Sequence, residues 1–183
     1  GKYTRAVVLL QDVISVLKGT DKGEESLYLL GISAYKARDY EAAANFLKKY
    51  YETYTNGLYT QDARFYNAMA LYKNTPEPKL DQTETYEAVT AFQNLLEIFP
   101  QSIYAKESQD MIFKLQDKLV EKEYLSAKTY FDLGSYFGNC NFGGNNYQAC
   151  IITAENAMRD YPYSKRREDF AIMLLRVKYL LAV

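Results

Sequence analysis

Asp39-Tyr40-Glu41-Ala42-Ala43-Ala44-Asn45-Phe46 and Thr85-Tyr86-Glu87-Ala88-Val89-Thr90-Ala91-Phe92 carry Tyr, Glu, Ala and Phe in the same order at one offset of 46. A third stretch, Asn146-Tyr147-Gln148-Ala149-Cys150, opens the same way. It runs on to Arg159-Asp160-Tyr161-Pro162 as the second runs on to Ile98-Phe99-Pro100. An evident insertion of about 12 residues, 73–84, separates the first two copies, and subtracting it leaves a period of 34.

A period of 34 is that of tetratricopeptide repeats, helical hairpins that bury their apolar faces only by stacking on their neighbours. The residue types fit such stacking. Gly31, Ala34, Ala43, Ala68, Ala88 and Ala149 let backbones approach, and Tyr35, Tyr40, Phe46, Tyr86 and Phe92 fill the space opposite. Gly31 costs about 1 kcal/mol against Ala inside a helix, which points to packing that a methyl would block. Working outward, apolar residues recur at helical spacing almost everywhere, as in Val7, Leu10, Ile14 and Leu17 or Phe92, Leu95, Leu96 and Phe99. About nine helices are expected, near 2–18, 24–37, 40–56, 60–74, 84–98, 102–119, 121–137, 146–161 and 164–182. No stretch alternates at period two, so the class is all-α: a right-handed α-solenoid forming a tetratricopeptide-repeat superhelix. The breaks carry turn residues, and Ser102 and Ser164, each two residues past a proline, are placed to cap the helices that follow. We expect one repeat array over 1–183, with early repeats in 1–100, late repeats in 101–183 and a long turn at 138–146.

Composition limits the chemistry. There are 183 residues, 48% hydrophobic and 25% charged, with 22 basic against 23 acidic side chains and a net charge of −1. This describes a globular protein and not a nucleic-acid binder, which would need clustered Lys and Arg. The absence of His removes the usual base for a Ser or Cys nucleophile and the commonest metal ligand, so we expect no catalysis, cofactor or metal. Cys140 and Cys150 match no metal spacing; Cys150 reads as a small buried residue, with a disulfide to Cys140 left open. No apolar run of 18 residues exists to span a membrane, and a leader or lipid anchor is expected to have been removed ahead of Gly1.

Nineteen tyrosines exceed what hairpin cores absorb. Tyr50, Tyr51, Tyr54 and Tyr59, with Tyr66 and Tyr72 on the next helix, are candidates for a peptide-binding groove, because Tyr offers amphipathic contact area at little rotamer cost. Arg64 beside them could meet a peptide carboxylate or a neighbouring acid such as Asp62. Charge is uneven: 77–97 carries −4 and 159–178 carries +3. Lys165-Arg166-Arg167 opens the last helix against its dipole and reads either as an invitation to an acidic partner or as a solvated run.

Two late segments, Asp117-Lys118-Leu119-Val120-Glu121-Lys122-Glu123-Tyr124 with Ala127 to Tyr136, and Glu155-Asn156-Ala157-Met158-Arg159-Asp160-Tyr161-Pro162, resemble the corresponding stretches of the BamD family, as does Tyr86-Glu87-Ala88 through Ala105. The resemblance implies a lipoprotein scaffold on the periplasmic face of the outer membrane that assists β-barrel assembly. Its late repeats would dock on a BamA-type partner, here through Arg159, Asp160, Tyr161, Lys165, Arg166 and Arg167, and its early repeats would receive unfolded outer-membrane protein segments. The membrane would be reached only through the lipid anchor. The turn after Tyr136, longer by about ten residues than the family's, and the missing lipid-bearing N-terminal Cys depart from that pattern. Two other functions fit the repeats: a generic peptide-binding adaptor, and a glycan-binding outer-membrane lipoprotein. The second would be expected to carry stacking Trp, which this chain lacks.

Overall fold

A computed structural model describes residues 1–17, 19–134 and 145–182. The described residues form eight α-helices and no strand: α1 (Lys2–Leu17), α2 (Asp21–Lys36), α3 (Tyr40–Thr53), α4 (Thr60–Asn74), α5 (Thr83–Ile98), α6 (Ala105–Leu133), α7 (Asn146–Asp160) and α8 (Arg167–Ala182). The protein is an all-α solenoid of the tetratricopeptide type. Two helices expected at 102–119 and 121–137 are one, α6, because no Gly or Pro interrupts 105–133 and the junction Lys118-Leu119-Val120-Glu121-Lys122-Glu123 is rich in helix formers. The helix stops at Gly134, whose φ of 53° is left-handed. Cys140 and most of the expected long turn lie outside the described residues. None of the described helices is long and apolar enough to cross a membrane.

Two compact units divide the chain: Gly1–Pro76 with Asp81–Leu115, and Glu77–Leu80 with Gln116–Val183. In the first, each helix from α1 to α4 packs on the next and α2 also touches α4. Leu27, Leu30, Ala34, Ala43, Leu47 and Tyr50 centre one core, and Phe65, Ala88, Phe92, Leu95, Ile112 and Leu115 the next. In the second unit Val120 and Ala127 of α6 meet Cys150, Ala154 and Ala157 of α7 and Phe170, Met173 and Val177 of α8. Burial pushes the Cys150 thiol up and keeps it protonated.

Burial corrects the repeat register. Ala43, Leu47 and Tyr50 correspond to Ala88, Phe92 and Leu95, all fully buried, so the structural offset is 45 and the Tyr-Glu-Ala match at 46 is one residue out of phase. Cys150, Ala154 and Ala157 continue the series in α7. After each of these helices the backbone takes one path. Gly57, Ser102 and Ser164 donate N–H to Tyr54, Phe99 and Tyr161 carbonyls (3.0, 3.0 and 3.1 Å), and their own carbonyls accept from Thr60, Ala105 and Arg167. Ser102 and Ser164 add a side-chain bond, accepting from Tyr104 N at 3.1 Å and Arg166 N at 3.0 Å. Gly31 is where the sequence places a close approach: a Cβ there would sit 2.6 Å from Leu47 Cγ and Cδ2, and Leu47 has no free surface into which to move.

Candidate functional site

Five of the first unit's twelve tyrosines, Tyr28, Tyr35, Tyr59, Tyr66 and Tyr104, meet on one surface made by α2, α4 and the start of α6. On α4, Asp62, Tyr66 and Met69 fall at i, i+4 and i+7 and share a face. On α2, Tyr28, Ile32 and Tyr35 do the same. All six are half-buried. Tyr28 stacks on Tyr59 (centroids 4.3 Å apart, planes at 4°), and Tyr104 stacks on Phe65 (4.1 Å, 9°). Tyr66 stands edge-on between Tyr35 at 5.3 Å and Tyr104 at 6.5 Å. Asp62 stands close enough to both stacks for its carboxylate to act on the Tyr28 and Tyr104 phenols. Burial and then this carboxylate's charge raise the Tyr28 phenol; for Tyr104, burial and the same carboxylate push it up to about 12. Asp62 is in the first turn of α4.

The groove tyrosines expected from sequence do not form one surface. Tyr50 is a correction: it is wholly buried, its hydroxyl donating to Glu24 Oε1 at 2.6 Å and accepting from Tyr59 N at 3.1 Å, so it offers a bound chain nothing. Tyr54 packs on Tyr50 at 5.5 Å at the end of α3. Tyr72 is half-buried near the end of α4 with the Lys73 ammonium 5.5 Å from its ring. Tyr51 and Arg64 pair with each other, the guanidinium 4.3 Å from the ring centroid. Arg64 is thus turned to Tyr51 and not to Asp62. Tyr59 and Tyr66 join the tyrosine surface. Tyr28 and Tyr104 were missed because they lie on helices other than the one bearing the excess, although the i, i+4, i+7 spacing of Asp62, Tyr66 and Met69 is visible in the sequence.

A second feature of this unit is an open cleft of about 590 Å³ between α3 and α5, floored by Asn67 and Leu71 of α4. Ala44 and Ala91 keep it open, and Asn45, Lys48, Tyr51, Tyr86 and Asn94 stand on its walls. Tyr86, expected in the core, is 52% exposed here, a consequence of the one-residue shift in register. Asn67 is fixed, donating to Ala44 O at 2.8 Å and accepting from the Tyr51 hydroxyl at 3.5 Å.

In the second unit the expected docking residues divide by depth. Arg166 is committed internally: Nε and Nη2 donate to Glu121 at 2.9 and 3.0 Å, Nη1 donates to Asp169 at 2.9 Å, and the guanidinium lies 4.2 Å from the Tyr124 ring centroid. It does not stand as a bare cation against the α8 dipole, and Glu168 and Asp169 supply the negative charge that the first turn favours. Tyr161 packs against the α6–α8 core. Lys165 is exposed, 3.6 Å from Asp117, and Arg159 pairs with Asp160 at 3.1 Å. Arg167, also exposed, donates to the Met158 and Pro162 carbonyls at 3.3 Å, complementing the C-terminal end of α7. Tyr163, which sequence reasoning passed over, is 99% exposed in the same turn.

Residues 1–174 match the YfiO family, described as outer membrane lipoprotein. The chain is also similar to the outer membrane protein assembly factor BamD of Caulobacter vibrioides, with 21% identity over 134 residues that cover 73% of this chain and 44% of that protein. It therefore spans less than half the length of that relative.

Proposed function

The chain belongs to the YfiO family of outer membrane lipoproteins, and from that membership we propose that it is a non-catalytic scaffold for the assembly of outer-membrane β-barrel proteins. The second unit docks on a BamA-type barrel-assembly partner, and the first receives unfolded segments of the barrel proteins at the periplasmic face, where a lipid anchor holds the scaffold. The observation that carries this reading is the continuous tyrosine surface of α2, α4 and the start of α6, whose half-buried rings offer apolar area and hydroxyls to any extended chain without demanding one sequence.

The docking half rests on the 161–167 turn. Tyr163, Lys165 and Arg167 face solvent there, while Arg166 and Tyr161 anchor the turn to its own unit. An exposed aromatic beside exposed cations suits an acidic, partly apolar protein surface. The test is co-purification from a Gram-negative envelope, with the Lys165→Glu/Arg167→Glu double variant in parallel. Wild type should bring down a β-barrel protein with periplasmic domains, and the double variant should bring down much less at unchanged helicity. Recovery of no barrel protein by wild type would sink the assembly role; equal recovery by the variant would remove this turn from it.

A further inference from the structure

The exposed apolar face of α8, the lysines around Lys79 and Lys122, and the α3–α5 cleft each lack a feature that selects an occupant; the tyrosine surface has one. Asp62 is a carboxylate set among aromatic rings. The charged side chains acting on Tyr28, Tyr35 and Tyr104 are Asp62 and Glu107, with no Lys or Arg among them. The nearest cation on α4, Arg64, is directed to Tyr51 instead. A half-buried carboxylate beside aromatic rings is the complement of a cation, since it attracts the charge while the rings exclude part of the competing water.

We propose that this surface is a receptor for a cationic side chain, taking an Arg or Lys of an extended segment against Asp62 between the Tyr28–Tyr59 and Tyr104–Phe65 stacks, with Tyr66 and Met69 receiving an apolar neighbour of that residue. The inference rests on the reading that the first unit receives extended chains, and it specifies which chains. Spacing supports it. Asp62 and Tyr66 are four residues apart on one helix, about 6 Å along its axis, and in an extended segment side chains on the same face recur about every 6.5–7 Å. A cation and an aromatic or aliphatic residue two positions away therefore reach both points together. Glu107, exposed and close enough to act on Tyr35 and Tyr104, adds to the negative potential along the approach.

Labelled twelve-residue peptides test it by fluorescence anisotropy against the full chain. One carries Arg two residues from Phe; the others carry citrulline, which keeps the shape without the charge, or Glu in place of Arg. Wild type should bind the Arg peptide about tenfold more tightly than the citrulline peptide, with the Glu peptide weakest. Asp62→Asn, which keeps the shape without the charge, should bind Arg and citrulline peptides alike. Tyr66→Leu, which leaves Asp62 and the buried core in place, serves if Asp62→Asn is poorly folded: it should weaken both peptides while preserving their ratio. Equal binding of Arg and citrulline peptides by wild type would overturn the cation receptor and leave chain reception standing. Full discrimination by a folded Asp62→Asn would overturn it as well. Failure of every peptide to bind would remove chain reception and the receptor with it.

Discussion

Removing the Tyr50 hydroxyl should destabilise the first unit far more than the loss of one oxygen suggests. The hydroxyl donates 2.6 Å to Glu24 Oε1, the same oxygen accepts from Leu58 N at 2.8 Å, and Tyr59 N donates 3.1 Å back to the hydroxyl. These bonds tie the α3–α4 turn to α2. In Tyr50→Phe a bond to a charged acceptor, worth roughly 1.5–3 kcal/mol, is lost, and the Tyr59 N–H is orphaned at a further cost of about 1–3 kcal/mol. The turn is near solvent and water can recover part of this, so a loss of about 2–4 kcal/mol is expected. Gly57→Ala attacks the same node from outside. A Cβ there would lie 2.5 Å from Glu24 Oε1, 2.7 Å from the Tyr50 hydroxyl and 3.0 Å from Tyr54 Cβ, displacing the carboxylate from both donors. The two losses overlap, so the double variant should fall short of their sum by roughly 1–3 kcal/mol. Urea unfolding followed by far-UV circular dichroism gives the midpoints, and amide exchange at Leu58 and Tyr59 locates the damage. If either single variant stays within about 0.5 kcal/mol of wild type, or the pair proves additive, the node does not hold the turn as described.

Three further outcomes follow from the same geometry. Gly31→Ala should cost about 1–2 kcal/mol net, because overpacking on Leu47 outweighs a helix-propensity gain of about 1 kcal/mol; thermal melts should show Leu47→Val in the same chain recovering part of it. Tyr28 and Tyr104 stay protonated in the folded chain above the unfolded phenol range, so the folded state holds more protons there and stability must fall as pH rises from about 10 to about 12; tyrosinate absorbance should show a late-titrating group that vanishes on unfolding. Arg166→Ala should lose roughly 1–2 kcal/mol, reduced from a buried pair's value because both side chains are about a third exposed, whereas Lys165→Ala should stay within about 0.5 kcal/mol in denaturant titrations.

Much of the helical architecture is legible in the sequence because its boundaries are local. Asp39 caps α3 by accepting from Ala42 N at 3.2 Å, and Pro, Gly and Ser mark turns whose residue preferences are visible without the fold. The fusion of two helices into α6 departs from the break expected near residue 120, where no Gly or Pro stands. The register slipped for a related reason: Ala42-Ala43-Ala44 permits alignment on either side, and only burial shows that Ala43, not Ala42, matches Ala88. A cluster of tyrosines within one stretch of sequence suggested a shared surface, but successive residues of a helix point in different directions. Tyr50 went into the core, Tyr51 toward the α3–α5 cleft and Tyr59 onto the ring surface. Long-range neighbours such as Tyr28, Asp62 and Tyr104 leave no signal of their proximity in a single sequence.

The three matching turns at Gly57, Ser102 and Ser164 show how far the repeats are interchangeable. As backbone, any of them could stand in for another, since the hydrogen bonds that shape them are the same. As chemistry they are not substitutes. At 102 and 164 a hydroxyl finishes the turn, but at 57 the space a side chain would fill belongs to a carboxylate and a phenol arriving from two other helices. Transplanting a later repeat into the first position would carry its own turn intact and still evict the neighbour's clasp. The order of the repeats is thus recorded in what each turn must leave empty, and shuffled arrays built from this chain should tolerate a glycine at every pivot but a serine only at the later ones.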